Sequence, residues 1–295
     1  MQDPYFISTR LLNYQIKHAE KTRTSIKGRP FLVLVLPAVP KEQIHVLENE
    51  GATIVHIEPL KLPQGLFDKQ FVENSRFRDV LSKLRLWQLV QYEKIVYLDA
   101  DSFLLENLDG LFLDPKMSDI QKTKLPLGQR NATKKVLLPK QYLMGASADT
   151  YGDQTEWEQP GHVNYLCACF MLFAPSLAMF DYYMDVLTSP SDTSPLKNAA
   201  YPEQDLLIYV HRQEGPMPYR RIPVSWSAND GEMADELALL GGVKSLHVKG
   251  WNGAEGGNVA NDKWRGEWRK LVDEMNLYYR VLQMHTVNAD ERITD

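Results

Sequence analysis

The sequence predicts an α/β architecture, a doubly wound mixed sheet flanked by helices. Three observations predict it. Apolar runs of strand length alternate with amphipathic segments of helix length from residue 31 onward, which is the pattern of βα units. The runs are rich in Val, Ile and Leu without polar alternation, as in strands buried on both faces. One of them, Ile95-Val96-Tyr97-Leu98, ends in Asp99-Ala100-Asp101. Carboxylates at the carboxyl end of such a strand stand where open α/β sheets bind ligands.

Residues 7–24 read as a helix, with Leu11, Leu12 and Ile16 apolar and Lys17, Glu20 and Lys21 exposed. Phe31 to Leu36 is a buried parallel strand stopped by Pro37. Lys41 to Gly51 is a short helix, with Gly51 at the C-cap position. Ala52 to Ile57 is the next strand. Residues 72–92 form an amphipathic helix, because Phe77, Val80, Leu81, Leu84 and Trp87 repeat at helical spacing. Leu104 to Phe112 is a loop turning into a short helix. Residues 114–163, rich in Pro, Gly, Lys and Thr, lack a long periodic signal and read as an irregular insertion that covers a site. Leu166 to Phe173 returns to strand character, and Pro175-Ser176 opens a helix. Residues 188–200 read as a mobile loop, and Glu203 to Gln213 as a helix after Pro202. Ser245 to Val248 is a strand leading into a glycine-rich loop, Gly250 to Gly257. Trp264, Trp268, Leu271, Met275, Tyr278 and Leu282 mark a final amphipathic helix. The expected organisation is a single domain over 1–295, with the insertion at 114–163 and a C-terminal helical segment at 258–295.

Composition bounds the function. The 295 residues are 44% hydrophobic, enough for a full core. The formal charge is −5 and there is no basic run, which argues against nucleic acid as a partner. No apolar run reaches the ~18 residues of a membrane span, and no signal peptide is visible. The only cysteines are Cys167 and Cys169. On a regular strand they would share a face roughly 6–7 Å apart, poor geometry for a disulfide. Two cysteines also fall short of a Cys-based zinc site, and they are expected to be small buried residues with no need of an oxidising compartment. Asn131-Ala132-Thr133 fits the glycosylation triplet, which chance alone supplies in a chain of this length.

Asp99 and Asp101 are hard oxygen ligands of the kind that hold Mg²⁺ or Mn²⁺. Asp-x-Asp also caps turns with no metal involved.

The surrounding segments resemble one family in order. Leu81-Ser82-Lys83-Leu84-Arg85-Leu86-Trp87, Tyr92 through Asp101, and Asn107-Leu108-Asp109-Gly110-Leu111-Phe112 are similar to family 8 glycosyltransferases, which are glycogenin-like retaining enzymes of the GT-A fold. Cys169 to Ser176, Tyr201-Pro202-Glu203-Gln204-Asp205-Leu206-Leu207, His247-Val248-Lys249-Gly250 and Asp3-Pro4-Tyr5 continue the resemblance, which covers residues 3 to about 250. Four departures stand out. Only Met1 and Gln2 precede Asp3, where the family has its first strand, so the chain is expected to lack that strand. Cys167-Ala168-Cys169 replaces the family's Asn-x-Gly. No Lys-Pro-Trp follows His247-Val248-Lys249-Gly250. The 114–163 segment is longer than in glycogenin-like chains.

The resemblance implies a GT-A-like domain that transfers a hexose or N-acetylhexosamine from a UDP-sugar to a hydroxyl acceptor, with retention. The donor would be UDP-glucose, UDP-galactose or UDP-N-acetylglucosamine, and the acceptor a glycan, protein, lipid or polyol. Asp99, Asp101 and His247 would hold Mn²⁺ or Mg²⁺. Lys83 would contact the donor phosphates, with Lys249 a second cation; the plain alternative for Lys83 is a solvated helix face. Asp3, Tyr5, Ala100, Glu203 and Gly250 would complete the donor site. Gln204 would lie near the anomeric carbon. Retention needs either a covalent nucleophile, for which Asp205 is the first candidate, or same-face attack assisted by the leaving phosphate. Acidic residues at a helix start are also favoured by the helix dipole. Trp226 reads as core and Trp251 as either core or an acceptor platform. A homodimer is a further expectation. The visible chain reads as cytosolic, or as lumenal should an anchor precede it. Two rivals stand beside this reading: a non-catalytic relative serving as a binding or scaffold protein, and a metal-dependent nucleotidyltransferase.

Overall fold

The computed structural model describes residues 3–60, 79–124, 138–149, 165–188, 201–229, 242–251 and 262–291. The glycosylation triplet, Phe77, the 188–200 loop beyond Thr188 and most of the Gly250–Gly257 loop lie outside the described residues.

The chain begins with α1, Pro4–Lys17. It starts earlier than its periodicity predicts because Asp3 accepts from the Tyr5 amide (2.9 Å) and Pro4 fills the first helical position. Strands β1 (Leu32–Val35) and β2 (Thr53–His56) pair in parallel through α2 (Lys41–Asn49). Gly51, at φ 83°, ends α2 in the left-handed conformation expected at its C-cap. Residues 81–88 form a 3₁₀ helix, not the α-helix that the periodicity predicts. The reason is packing: Leu81, Leu84 and Trp87 recur every third residue, one per 3₁₀ turn, and all three are buried.

Strand β3 (Ile95–Leu98) hands over within a few residues to β4 (Ser102–Leu104). Two short helices follow, α3 (Gly110–Leu113) and α4 (Pro115–Ser118). The segment expected to be an irregular insertion contains β5 (Gln121–Lys122), β6 (Gln141–Tyr142) and β7 (Met144–Ala148). β7 is buried throughout and pairs with β8 (Leu166–Phe173). Its sequence, Met-Gly-Ala-Ser-Ala, is too small and mixed to show a strand period, which is why only packing reveals it. α5 (Leu177–Thr188) packs on the 81–88 helix and on α6 (Pro202–Val210), and α6 packs on β8. β9 (Arg220–Arg221), β10 (Ala228–Asn229), β11 (Ser245–His247) and α7 (Asp262–Glu291) complete the order. No helix among the described residues is long and apolar enough to cross a membrane.

The predicted α/β architecture is thus observed, with its strands divided among separate sheets. One runs β3-β8-β7-β9, a second β10-β11-β4, and β1-β2 stands as a pair. Between β1 and β3 lies an apolar cavity of about 300 Å³, lined by Leu32, Val33 and Leu34 on one side and Ile95, Val96 and Tyr97 on the other. It meets the aspartate turn at Leu98 and Ala100, and its mostly apolar lining also includes Arg29, Lys94, Asn107 and Asp109.

β8 is the central strand. Leu166, Ala168, Met171 and Phe173 face one core with Trp87, Tyr183 and Leu206. Cys167, Cys169, Phe170 and Leu172 face another with Leu104, Leu111 and Leu143. Alternation slips between Cys169 and Phe170, because the β7–β8 register shifts between Ala146 and Ala148. The irregular stretch brings the Cys167 and Cys169 Cα atoms to 5.2 Å, and the two are joined in a disulfide. The expectation of two unlinked small residues fails here, because it assumed a regular pleat. A third core, with Tyr14, Phe103, Trp264 and Met275, joins α1 and α7 to the second sheet.

Candidate active site

Asp99 and Asp101 occupy the turn in which the chain leaves one sheet for the other. The Asp99 amide donates to the Cys169 carbonyl (3.0 Å), extending the β3–β8 ladder by one rung. The Ser102 amide then donates to the Asp99 carbonyl (3.1 Å), closing the turn. β4 pairs antiparallel with β11 so that Ser102 faces His247. That register sets His247 beside the residue before Ser102: its Nε2 lies 3.0 Å from Asp101 Oδ1 and 3.9 Å from Asp99 Oδ2. One ligand atom from each of Asp99, Asp101 and His247 falls within 4.8 Å of the others. Oxygen, oxygen and imidazole nitrogen suit an octahedral divalent cation such as Mn²⁺ or Mg²⁺. His247 Nδ1 is buried with no hydrogen-bond partner among the described residues. Burial alone would lower the His247 pKa, but its hydrogen bond to Asp101 and the charges of Asp101 and Asp99 raise it. Burial would raise Asp101, and the His247 hydrogen bond and charge, with Lys249, bring it down instead.

Lys83 is the centre of the site's charge. It leaves the 3₁₀ helix inward, not toward solvent, with its side chain 11% exposed. Its Nζ lies 3.0 Å from Asp99 Oδ1 and 3.5 Å from Glu203 Oε1, and donates to the Ala168 carbonyl at 3.1 Å. The Tyr97 ring lies beneath it, 4.9 Å from Nζ. Burial works to lower the Lys83 pKa, but Asp99, Tyr97 and Glu203 overcome it and hold the ammonium well above its usual range. Tyr97 donates to Asp99 Oδ1 at 2.5 Å. Burial and the adjacent Asp99 keep that phenol protonated.

On the other flank, α6 starts at Pro202 and presents Glu203 and Gln204 inward, both buried. Gln204 Oε1 accepts from the Ala168 amide (2.9 Å) while its Nε2 donates to Asp149 (3.3 Å). The Cys-Ala-Cys segment is therefore held by Lys83 on its carbonyl and Gln204 on its amide. Asp205 accepts from the Tyr165 hydroxyl (3.1 Å) and from the Tyr201 amide (3.0 Å).

The remaining candidates sit around this cluster. Asp3 caps α1, and the Tyr5 ring meets the edge of Trp251 at 4.9 Å. Trp251 in turn faces Trp268 at 6.0 Å. Gly250 has a structural reason to be glycine, since a Cβ there would stand 2.2 Å from the Trp268 ring. Trp226 packs against the core, as its sequence context suggests, and lies close over Gly110. Sequence reasoning missed Tyr97, Asp149 and Tyr165. Tyr97 was findable, because it lies two residues before Asp99 on one strand face. Asp149 and Tyr165 flank a segment without periodicity and gave no signal.

A profile of glycosyl transferase family 8 matches residues 8–118, which include Lys83, Asp99 and Asp101. An uncharacterised protein of Schizosaccharomyces pombe is 24% identical over 95% of this chain and 77% of its own length. Galactinol synthase 2 of Solanum lycopersicum is 30% identical over 66% of this chain and 55% of its own. Galactinol synthase 10 of Arabidopsis thaliana is 31% identical over 59% and 50% respectively. The chain spans about half the length of these galactinol synthases. The crystal structure of the glycosyltransferase GlyE from Streptococcus pneumoniae aligns with 92% of this chain and 60% of its own, at 14% identity and a TM-score of 0.49.

Proposed function

We propose that this chain, which belongs to glycosyltransferase family 8, transfers a hexose or N-acetylhexosamine from a UDP-sugar to a hydroxyl acceptor, with retention and with a divalent cation. The observation that carries the reading is the convergence of Asp99, Asp101 and His247 within 4.8 Å, against the buried ammonium of Lys83. Asp99, Asp101 and His247 would hold Mn²⁺, which when bound supplies Lewis-acid charge to the departing diphosphate. Lys83 adds a fixed cation whose proton is secured by its carboxylate neighbours. To bind a phosphate oxygen it exchanges one carboxylate contact for another anion, at little cost in desolvation because it is already buried. Gln204, fixed at both ends of its amide, would border the sugar, with Glu203 toward the sugar hydroxyls. Lys249 and Tyr5 would close the nucleotide side.

Both Asp205 oxygens accept hydrogen bonds, which weakens a carboxylate as a nucleophile. Same-face attack assisted by the leaving phosphate is therefore the favoured route to retention. The relatives named galactinol synthase make UDP-galactose the first donor and a polyol the first acceptor to try.

The test is hydrolysis and transfer with a panel of UDP-sugars and Mn²⁺, on this chain and on Asp101→Ala. Turnover of one donor that vanishes in the variant is expected. Absence of turnover together with absence of UDP–Mn²⁺ binding would sink the proposal and favour a non-catalytic binding protein.

A further inference from the structure

The Cys167-Ala168-Cys169 segment has no part in the transfer proposed above, yet it forms the wall behind the metal ligands. Its backbone is held by Asp99, Lys83 and Gln204 in succession. Both sulfurs and one imidazole nitrogen of His247 lie within 4.8 Å of one another, and all three residues are buried. His247 also lies within the same distance of Asp99 and Asp101. It thus belongs to two ligand sets, one of oxygens and one of sulfurs. A neutral imidazole offers one lone pair, so it can serve one cation at a time. Soft thiolates select zinc-like ions, and carboxylates select manganese-like ions.

We propose that Cys167 and Cys169, once reduced, form with His247 a second metal site for a thiophilic divalent cation of the zinc class, and that filling it withdraws His247 from Asp99 and Asp101. The disulfide form has no thiolate to offer and leaves His247 to the oxygen set. The switch is a two-electron exchange. A dithiol reductant attacks one sulfur, the mixed disulfide resolves as the reductant closes its own disulfide, and Cys167 and Cys169 each gain a proton. Cation binding then releases the thiol protons. Two thiolates and one imidazole leave a fourth tetrahedral position for water. The inhibitory half rests on the transferase reading; the binding half does not.

The experiment compares the full chain in its disulfide form with the same chain reduced by a trialkylphosphine, which is oxidised to its phosphine oxide and then removed. Zn²⁺ affinity is read by competition with a chromophoric chelator, Co²⁺ ligation by sulfur-to-cobalt charge-transfer absorption, and Mn²⁺ binding by electron paramagnetic resonance. The reduced chain should bind one Zn²⁺ at least ~100-fold tighter than the disulfide form, since even partners outside a ligand shell are worth about 10–100-fold. It should show the cobalt–sulfur band and lose Mn²⁺ as Zn²⁺ enters. Equal Zn²⁺ affinity in both forms, or two free thiols before reduction, would overturn the proposal without any substitution. Zn²⁺ affinity that survives in Cys167→Ala/Cys169→Ala, or is unmoved by His247→Ala, would overturn it as well. A reduced chain that binds Zn²⁺ through sulfur while the disulfide form never binds Mn²⁺ supports the sulfur site and sinks only the donor-site reading.

Discussion

Lys83 shows how much one buried charge decides. Its ammonium lies 3.0 Å from Asp99 and 3.5 Å from Glu203, and nothing in the linear sequence joins these three. Removing the cation leaves two buried or half-buried carboxylates facing each other. Lys83→Met, which keeps the stem, should therefore cost about 3 kcal/mol, the low end for stripping one partner from a buried ion pair. Urea unfolding measures this. The same variant should bind Mn²⁺ more tightly, because a competing positive charge has gone, yet turn over donor more slowly. Weaker Mn²⁺ binding in Lys83→Met would place Lys83 as a scaffold for Asp99 and not as a rival to the cation. The motif Asp99-Ala100-Asp101 was legible because hard ligands at a strand end have a chemical meaning. The pairing of Lys83 with Glu203 was not, because it depends on the fold setting the 3₁₀ helix against α6.

At the scale of elements, two contacts make sharp predictions. His211 ends α6 fully buried, with Nδ1 donating to the Met217 carbonyl (2.7 Å) and Nε2 therefore accepting from Tyr183 on α5 (2.6 Å). Burial pushes its pKa down to about 4, against an ordinary 6.5, with the Met217 bond opposing only in part. The unfolded chain takes up the proton first, so this contribution is full above pH 6.5 and is lost as pH falls from 6.5 toward 4. The loss is of order ~3 kcal/mol. Stability measured across that window should fall by this amount in the wild type and stay flatter in His211→Gln. Gly250 is the second contact. A methyl there meets the Trp268 ring at 2.2 Å, so Gly250→Ala should cost ~2 kcal/mol through overpacking. In a Trp268→Leu background the same substitution should cost much less, and an equal cost in both backgrounds would show that the glycine serves something other than α7. Among the elements themselves, β8 was readable because eight consecutive apolar residues have no other home. β7 was not, because small residues are strand-forming only when a neighbour of the right shape covers them.

For the whole molecule, the cluster sits on the seam between two sheets. Asp99 extends β3 in one sheet, and His247 ends β11 in the other. A cation held by both would tie the sheets together. Mn²⁺ at about 100 times its dissociation constant should add ~2.7 kcal/mol, a rise in Tm of roughly 5 °C for a chain of this size. Differential scanning calorimetry of the wild type and of Asp101→Ala, with and without Mn²⁺, tests this. A shift that persists in Asp101→Ala would mean that the ion binds elsewhere.

Composition, strand-length apolar runs and the chemistry of Asp99 and Asp101 were determined by the sequence alone, because each depends on residues adjacent along the chain. Those local signals sufficed for an α/β architecture and for a carboxylate pair at a strand end. Tertiary structure decided the rest. Sheet register sets His247 against Asp101 across a separation of 146 positions, a grouping that only the family resemblance had implied. The slip in β8 draws Cys167 and Cys169 into a disulfide that a regular pleat would forbid. Burial made Lys83, which the resemblance implied as a phosphate contact, the counter-charge of Asp99 and Glu203. The physical reason is common to all three: hydrogen-bond register and desolvation are properties of neighbours in space, and a chain carries them only once it has folded.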